Sequence, residues 1–439
     1  MTQKRRISRL TLLRQKIEEA WLYRIGYRLA PLRQQRYIRH LQGRSEIRVV
    51  FVVVSIPMWK YQGLYDLLRA DARFRVQIVL SPSMNYSDEQ RLSDIRVMRS
   101  YFDSRAMPYV DWDIEHDAPA VDIRRELNPD IVCYSQPYHG VFHPRHQFLN
   151  FTDRLLAYYP YGALQTSEPF LFDQVMTNIA WRLYYSDRYV LADACRFMRN
   201  GGSNVVVVGY PNADLYTRPL TADPWHDEGH RLKRVIWAPH CTLANDGSSL
   251  SKSNFLDLSE AMLRLAHDYR DRVQIAFKPH PGLLTELYRH PDWGKQRTDD
   301  YYKRWSQMEN TQLETGDYIE LFKGSDAMIH DCGSFVIDYL YFRRPVMFLT
   351  RDIQRTRQYG NELCRQAYDI HYTGCTEQDI RRFIDDVVLG GNDPLSASRH
   401  QFYQDNLLPP GGQSVARNTY DDLVESLGIP KLPDVVTEK

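Results

Sequence analysis

Short apolar runs alternate with helix-like stretches along the chain, and this alternation begins after residue 45. The first run, Arg48–Val54 (RVVFVVV), has the continuous apolar character of a parallel strand buried on both faces. A helix-like stretch, Gln62–Ala70, separates it from a second apolar run. The order predicts an α/β domain with a mainly parallel sheet over residues 45–212. Its further predicted strands are Phe74–Leu80, Ile131–Tyr134, Leu155–Tyr159, Arg188–Leu191 and Asn204–Val208.

The same alternation starts again after a polar linker, Asp223–His230. It predicts a second α/β domain over residues 213–425. The predicted helices of this domain are Phe255–Tyr269 and Ser334–Phe342. Its predicted strands are Arg234–Trp237, Val273–Phe277, Tyr318–Leu321, Ala327–His330 and Val346–Leu349. Because tandem doubly wound domains bind ligands at the carboxyl ends of their strands, functional residues are expected directly after strands.

Residues 1–44 have a different pattern, in which apolar residues recur at helical spacing among basic residues. The apolar positions are Ile7, Leu10, Leu13, Ile17, Trp21, Ile25 and Leu29. Twelve Lys or Arg residues and only two acids give this segment a charge of +10, whereas the whole chain carries +1. A basic amphipathic helix of this kind can lie on an anionic membrane surface. The alternatives are a solvated helix packed on the protein and an arm that binds nucleic acid.

The composition bears on the choice between membrane binding, packing on the protein and nucleic-acid binding. With 439 residues, 43% hydrophobic and 25% charged, the chain has the make-up of a globular protein of two or three domains. Nothing downstream resembles a nucleic-acid-binding module, so no nucleic acid partner is expected. No signal peptide is predicted, because arginines break the N-terminal apolar stretch, and no transmembrane helix is predicted, because no uncharged run reaches 18 residues. We therefore predict a peripheral protein at the cytoplasmic face of the cell membrane, attached through residues 1–44.

The cysteine and glycine patterns exclude several kinds of site. Six cysteines occur without a CxxC pair, so neither a disulfide framework nor a zinc site is predicted. No GxGxxG or P-loop motif is present, which disfavours NAD and ATP chemistry. The expected site therefore uses no cofactor and no metal.

Three clusters of chemically active residues each follow a predicted strand. The first is APHCT, with His240 and Thr242, and the second is the KPHP turn, with Lys278 and His280. Lysine can hold a phosphate as a point charge, and histidine can donate a hydrogen bond or a proton. Taken alone, each cluster is equally well explained as a structural turn. Together they predict one phosphate-binding crevice.

The third cluster lies between Gly324 and Ser334. There a predicted strand ends in Asp331, Gly333 permits a tight turn, and Ser334 opens a helix whose free N–H groups can bind an anion. Asp331 could accept hydrogen bonds from substrate hydroxyl groups. Ser334 is equally explained as an N-cap, and Asp326 as a turn residue.

The order of these clusters resembles the CDP-glycerol glycerophosphotransferase family of teichoic-acid and capsule synthesis. That family has a strand followed by a K-x-H-P turn, then an S-D-x-x-I-x-D-x-x-S-x-x-x-(D/E)-Y segment that ends in a K/R-P-hydrophobic strand. Here those places are filled by Ser325, Asp326, Ile329, Asp331, Ser334, Asp338, Tyr339 and Pro345. The resemblance covers roughly residues 130–425 and is strongest in the second half.

The resemblance implies a GT-B fold, in which two Rossmann-like domains face each other across a cleft and a C-terminal helix crosses back to the first. It also implies a CDP-activated polyol phosphate donor, a lipid-linked glycan acceptor and release of CMP. His280 would face the donor pyrophosphate, Ser334 and the following N–H groups would hold phosphate, and Asp331 would bind the polyol hydroxyls. The remaining donor-binding residues would be His240, Thr242, Lys278, Asp326 and Gly333, with Asp326 supporting its turn.

One departure from the family concerns the catalytic base. The family carries a W-H-G-T-P-like loop after a strand of the first domain, and its histidine is the expected base. The corresponding stretch here, Tyr158–Gly162 (YYPYG), has Tyr161 in place of that histidine. His139, after an earlier strand, is predicted as a substitute. The alternative functions are a GT-B glycosyltransferase with a nucleotide-sugar donor, a sugar-nucleotide epimerase and a non-catalytic nucleotide-binding protein.

Overall fold

The computed structural model describes residues 9–226, 232–243 and 253–431, with side chains from residue 15 onward. The chain divides into two units. Unit 1 contains Met1–Leu164, Glu168–Asp214 and Pro409–Lys439, and unit 2 contains Gln165–Ser167 and Leu215–Leu408. The sequence pattern places the domain boundary at residues 212 and 213, next to the point where the chain leaves unit 1.

A parallel sheet forms the centre of unit 1. The strands in the described part of this unit are β1 (Ile47–Val53), β2 (Phe74–Leu80), β3 (Tyr109–Val110), β4 (Trp112–Asp113), β5 (Ala118–Pro119), β6 (Ile131–Tyr134), β7 (Leu155–Tyr158), β8 (Arg182–Tyr185) and β9 (Val205–Val207). Seven of them form the sheet in the order β3-β2-β1-β6-β7-β8-β9, and β4 pairs with β5. The apolar run of β1 is buried at six of its seven positions, as expected for a central strand.

Helices cover this sheet. Those that precede the second unit are α1 (Arg9–Trp21), α2 (Tyr27–Leu41), α3 (Gln62–Ala70), α4 (Asp88–Asp103), α5 (Pro169–Phe172), α6 (Val175–Ile179), α7 (Arg188–Phe197) and α8 (Ala213–Tyr216). A π-helical turn, Leu22–Gly26, joins α1 to α2.

Unit 2 is built on a second parallel sheet. Its described strands are β10 (Lys233–Ala238), β11 (Val273–Phe277), β12 (Thr311–Leu313), β13 (Ala327–His330), β14 (Val346–Leu349) and β15 (Tyr372–Gly374). They lie in the order β12-β11-β10-β13-β14-β15. This order makes β11, β10 and β13 neighbours, so the residues that follow them share one edge of the sheet.

The helices of unit 2 follow its strands in the expected alternation. They are α9 (Phe255–Asp268), α10 (Leu283–Arg289), α11 (Gly294–Trp305), α12 (Ile319–Gly324), α13 (Phe335–Asp338), α14 (Ile353–Tyr359), α15 (Glu362–Tyr368), α16 (Glu377–Arg382) and α17 (Ser396–Phe402). The last helix, α18 (Val415–Ser426), belongs to unit 1.

Aromatic packing makes the strands of unit 2 a rigid support. The ring of Trp237 on β10 stacks on Phe277 of β11 at a centroid distance of 4.9 Å, and lies 5.8 Å from Phe255. Trp305 packs against the same indole at 5.4 Å. Because these large rings are fully buried, the loops that leave β10 and β11 start from fixed positions.

Two predicted strands are wrong. Arg188–Leu191 lies in α7, because the Asp187 carboxylate accepts the N–H groups of Tyr189 and Val190 and caps a helix. Tyr318–Leu321 instead contains the start of α12, where Asp317 accepts the N–H groups of Tyr318 and Ile319. The strands that the sequence pattern did not predict are β3, β4, β5, β8, β12 and β15. The helix predicted at Ser334–Phe342 is α13 followed by a 3₁₀ turn.

The N-terminal segment leaves several large apolar side chains exposed. Leu22 and Ala30 are buried, but the apolar side chains of α1, α2 and their connection that form one outer stripe are exposed. These side chains are Ile17, Trp21, Ile25, Leu29 and Leu32, with exposed fractions of 37–64%. The predicted position Ile7 lies outside the described residues. No helix in the described ranges combines the length and the apolar character needed to cross a bilayer.

Candidate active-site residues

His240 and His280 form a close pair at the carboxyl edge of the sheet in unit 2. His240 follows β10, His280 follows β11, and their ring centroids are 4.7 Å apart. The main chain fixes the second loop against the first, because the N–H of His280 donates to the carbonyl of Pro239 at 3.0 Å. Thr242 adds a hydroxyl 2.9 Å from Nδ1 of His240.

The backbone determines which nitrogen of each ring carries the proton. The N–H of Thr242 donates to Nδ1 of His240 at 3.2 Å, and the N–H of Gly282 donates to Nδ1 of His280 at 3.0 Å. A backbone N–H can only donate, so each Nδ1 must be an acceptor and the proton of a neutral ring lies on Nε2. Both imidazoles therefore offer an Nε2–H donor.

Lys278 brings positive charge to the same edge. It is buried, and its Nζ donates to the carbonyl of Gly316 at 2.8 Å. Burial lowers the pKa of Lys278, although Glu314 and Asp317 act in the opposite direction. Burial, and then the charge of Lys278, also lowers the pKa of His280. The lowered pKa favours the neutral form of the His280 ring.

The same loops contain a group with the spacing of a metal site. The potential ligand atoms of His240, Cys241 and His280 lie within 4.8 Å of one another. An imidazole that binds a metal through Nε2 carries its proton on Nδ1 and donates it to an acceptor. Here a backbone donor already points at each Nδ1. The pair as folded thus suits phosphate oxygens better than a cation.

Asp331 has a different place from the one expected for a residue that binds substrate hydroxyls. It is fully buried, and its carboxylate accepts the N–H of His240 at 2.5 Å and the N–H of Asn254 at 2.6 Å. Burial raises the pKa of Asp331 to about 6, and these two donors oppose the rise. Both carboxylate oxygens are used within the protein, so Asp331 fixes the His240 loop to the start of α9.

Asp326 lies at the opposite end of the sheet from the histidine pair. It precedes β13, and its carboxylate accepts the N–H of Arg234 at 2.8 Å and contacts Lys233 at 3.4 Å. These residues begin β10, so Asp326 joins the amino ends of the two strands. This position fits the supporting role that was the alternative for Asp326, whereas donor binding by Asp326 stays a prediction.

Gly333 and Ser334 remain at the carboxyl edge, after β13. Gly333 is half-buried and Ser334 is exposed. Ser334 occupies the N-cap position of α13, but its hydroxyl makes no capping hydrogen bond. The serine is thus not used as an ordinary N-cap, and its hydroxyl stands on the side of the sheet that carries His240 and His280.

The two predicted residues of unit 1 follow neighbouring strands. His139 lies beyond β6 and is 39% exposed, and its Nδ1 is 3.2 Å from Oε1 of Glu19 on α1. Tyr161 lies beyond β7 and is 45% exposed. Tyr138 is also exposed, and its pKa is raised by partial burial and by the nearby phenol of Tyr161. His139 and Tyr161 therefore share an accessible edge of the unit 1 sheet.

Sequence reasoning missed Asn254 and Glu19. Asn254 donates its N–H to Asp331 and its Nδ2 to the carbonyl of Leu349 at 3.1 Å, and no pattern in the sequence marks this long-range role. Glu19 did have a signal, because it is one of only two acids among twelve basic residues.

Comparison with known proteins relates this chain to one family and one fold. Residues 178–368 match the family model of CDP-Glycerol:Poly(glycerophosphate) glycerophosphotransferase, and they contain all of the candidate site residues of unit 2. A comparison with curated protein sequences finds no match.

Solved structures resemble the chain over most of its length. A variant of the wall teichoic acid polymerase TagF aligns with a TM-score of 0.55 at 12% identity, covering 96% of this chain and 99% of that one. MnaA from S. aureus with UDP gives 0.55 at 13%, covering 88% and 99%. UDP-GlcNAc 2-epimerase from Neisseria meningitidis gives 0.53 at 12%, covering 86% and 100%. At these identities the likeness concerns the fold alone.

These matches confirm the predicted fold class and the resemblance to the family. The two parallel α/β sheets belong to a GT-B fold, which the teichoic acid polymerase and the epimerases share. The shared fold does not distinguish a polymerase from an epimerase, whereas the family match favours a transferase. That match covers residues 178–368, less than half of the chain, and this stretch is similar to the CDP-glycerol glycerophosphotransferase family, which indicates a transferase of that type.

Proposed function

We propose that the chain transfers a polyol phosphate, such as glycerol phosphate or ribitol phosphate, from a CDP-activated donor to a hydroxyl of a lipid-linked cell-surface glycan. The observation that carries this proposal is the pair of Nε2–H donors on His240 and His280, next to the buried ammonium of Lys278. Two imidazole N–H donors and one lysine side chain complement the oxygens of a diphosphate. All three residues lie in the stretch that matches the family.

The reaction is a displacement at the phosphorus that carries the polyol. The acceptor oxygen attacks this phosphorus, the bond to the bridging oxygen breaks, and CMP leaves with the electron pair. Nε2 of His139 takes the proton of the acceptor hydroxyl and later releases it to water. His240, His280 and Lys278 stabilise the negative charge that develops on the departing phosphate. Positioning and charge stabilisation supply most of the rate, so the reaction needs no covalent intermediate.

The exposed stripe of the N-terminal segment supports attachment to the cytoplasmic face of a membrane. Large apolar side chains such as Trp21 and Ile25 face outward, within a segment of charge +10. An anionic bilayer would bury these side chains and attract the surrounding arginines. Membrane attachment of this kind would bring the enzyme to a lipid-linked acceptor.

A thermal-shift panel tests the donor. The purified chain is heated with CDP-glycerol, CDP-ribitol, CMP, UDP, UDP-GlcNAc or GDP-mannose. A ligand at 100 times its Kd adds about 2.7 kcal/mol of stability, which gives a measurable rise in Tm. We expect CMP and one CDP-polyol to stabilise the wild type and to lose this effect in His280→Ala.

His290→Ala is the matched control for this panel. Nδ1 of His290 also accepts a backbone N–H, that of Asp292 at 3.2 Å, but His290 follows a helix rather than a strand of the sheet. Its substitution should leave the shift intact. Stabilisation by UDP or GDP compounds instead would contradict the proposal in favour of a glycosyltransferase. Turnover of UDP-GlcNAc without an acceptor would indicate an epimerase, and binding without turnover a non-catalytic protein.

Flotation with lipid vesicles tests the membrane attachment. A double variant, Trp21→Ser with Ile25→Ser, should bind phosphatidylglycerol-containing vesicles at least about tenfold more weakly, because each buried apolar side chain contributes about 1.5–3 kcal/mol. Phe170→Ser, which changes a side chain 60% exposed elsewhere in unit 1, is the control. Donor-induced stabilisation should be unchanged in all three proteins, and deletion of residues 1–40 should likewise abolish vesicle binding but not donor binding. Equal vesicle binding by the double variant would exclude the stripe as the attachment surface.

A further inference from the structure

Helix α1 and the π-helical turn after it are held on unit 1 by polar contacts that recur once per turn. Nε2 of Gln15 donates to Oε1 of Gln147 at 3.0 Å, and the hydroxyl of Tyr23 donates to Oδ2 of Asp173 at 2.9 Å. Between them on the same face lies Glu19, whose Oε1 is 3.2 Å from Nδ1 of His139. The exposed residues Ile17, Trp21 and Ile25 are offset by two positions, which places them on the opposite face.

We propose that Glu19 is a positioning residue for the catalytic base. Its carboxylate holds the proton of His139 on Nδ1, so that Nε2 carries the lone pair that accepts the proton of the acceptor hydroxyl. This inference rests on the proposed function, in which His139 is the base. It makes α1 a part of the acceptor site as well as a membrane attachment.

The argument depends on the charge of Glu19. An imidazole lone pair at 3.2 Å from a carboxylate oxygen is repelled by it, whereas an N–H at that position is attracted. The carboxylate therefore favours the tautomer with the proton on Nδ1. This is the tautomer that a general base acting through Nε2 requires, and a buried or paired acid commonly enforces it in catalytic histidines.

The surroundings of His139 supply no other group for this task among the described contacts. Its ring lies 6.4 Å from that of Phe148, which cannot select a tautomer. The histidine is 39% exposed and the glutamate 32% exposed, so both remain accessible to a substrate at the end of β6. Docking of α1 does not depend on this pair alone, because Gln15 and Tyr23 provide contacts on either side of it.

The placement of Glu19 links membrane attachment to catalysis. Trp21 and Ile25 of the N-terminal segment are exposed, whereas Glu19 of the same segment contacts His139. A bilayer that holds α1 also holds the carboxylate that orients the base. An acceptor anchored in the same bilayer would thus meet a base whose active tautomer depends on the membrane-facing helix.

The first test compares Glu19→Ala with Glu18→Ala, which removes the same charge from the neighbouring position of the same helix. Release of CMP from CDP-glycerol to water is measured in the full chain. We expect Glu19→Ala to lower kcat by about ten- to hundredfold, as is typical for residues that orient an active-site histidine, with KM for the donor unchanged. Glu19→Gln, whose amide oxygen can still accept the Nδ1 proton, should recover part of the loss. Glu18→Ala should match the wild type.

A second measurement needs no activity. Nitrogen-15 NMR of histidine-labelled protein distinguishes the two tautomers in mildly alkaline buffer, where imidazoles are neutral, and His139 is assigned by its absence in His139→Gln. We expect Nδ1–H in the wild type and Glu18→Ala, and Nε2–H in Glu19→Ala. An Nε2–H form in the wild type, or no change in Glu19→Ala, would overturn the inference whatever the kinetics show.

The variants separate this inference from the proposed function. If His139→Ala releases CMP as fast as the wild type, His139 is not the base and the proposed mechanism fails. If His139→Ala is slow but Glu19→Ala is normal, only the role of Glu19 fails. If both act through one proton transfer, the double variant should be no slower than His139→Ala.

Discussion

The histidines of the two units have chemically opposite neighbours at Nδ1. In unit 2, backbone N–H groups point at Nδ1 of His240 and of His280, which places the proton of each ring on Nε2. In unit 1, a carboxylate lies beside Nδ1 of His139. The same side chain thus serves as a hydrogen-bond donor in one unit and, in our proposal, as a proton acceptor in the other. The neighbour at Nδ1 decides between these roles.

The largest expected effect is the loss of turnover when His139 is substituted, and it tests the role of this histidine as a proton acceptor. Substitution His139→Ala removes the proposed base and should lower kcat by about 10²–10⁴, the usual contribution of general base catalysis. CMP release from the donor identified in the thermal-shift panel measures it. Donor-induced stabilisation should persist, since His139 belongs to unit 1 and the donor-binding residues to unit 2. A variant that loses donor binding as well would show that His139 is not a pure base.

The next effect sharpens the claim that His280 acts as a donor through Nε2. In His280→Gln the amide nitrogen lies near the position of Nε2, whereas in His280→Asn it lies near that of Nδ1. We expect the glutamine variant to keep most of the affinity for the CDP-polyol and the asparagine variant to lose about 1.5–3 kcal/mol, the value of a hydrogen bond to a charged group. Isothermal titration measures both. Equal losses would show that shape, not the Nε2–H donor, is what matters.

The last expected effect is a loss of stability in acid, and it concerns one buried histidine in each unit. Burial lowers the pKa of His146 to about 3 and that of His371 to about 4. Below about pH 6.5 the unfolded chain binds protons that the folded chain excludes, so each residue should cost about 1.4 kcal/mol of stability per pH unit as the pH falls. Above pH 6.5 the two histidines cause no loss of stability, because their rings are neutral in both the folded and the unfolded chain. Thermal scans from neutral to acidic pH should show a steep loss that His371→Phe reduces.

Two residues check the sign of this acid effect. The exposed His400 is the control, and His400→Gln should leave the pH dependence unchanged. Asp331 acts in the opposite direction, because its folded pKa is raised to about 6 and the folded chain binds its proton first. Asp331 therefore adds stability as the pH falls from about 6 to about 4, and Asp331→Asn should make the acid loss steeper. A shallower loss in that variant would contradict the assignment.

The sequence predicted the elements whose apolar runs are long and uninterrupted. β1, β11 and β13 were found because buried parallel strands read as continuous apolar stretches. The prediction of a strand at Arg188–Leu191 was wrong, although these residues suit a strand. The decisive signal was the preceding Asp187, which caps α7. Local capping overrode strand propensity there.

The candidate site was predictable as a set of loops but not as a set of contacts. The rule that ligands bind after parallel strands placed His240 and His280 on neighbouring loops. It could not reveal that Asp331 turns inward to two backbone N–H groups, since Asn254 is 77 positions away in the chain. For the same reason the sequence could not predict the contact between Glu19 and His139, which lie far apart in the chain.

The return of the C-terminal segment to unit 1 has a consequence for how the protein is made. The N–H of Val415 donates to Asp214 at 2.8 Å, the hydroxyl of Tyr184 donates to Asp422 at 3.0 Å, and that of Tyr420 donates to Asp71 at 2.7 Å. A growing chain emerges from the ribosome with its N-terminus first, so the α18 residues are synthesised only after the whole of unit 2. The folding of unit 1 therefore spans the synthesis of unit 2, and any chain released before α18 is translated carries an unfinished first unit.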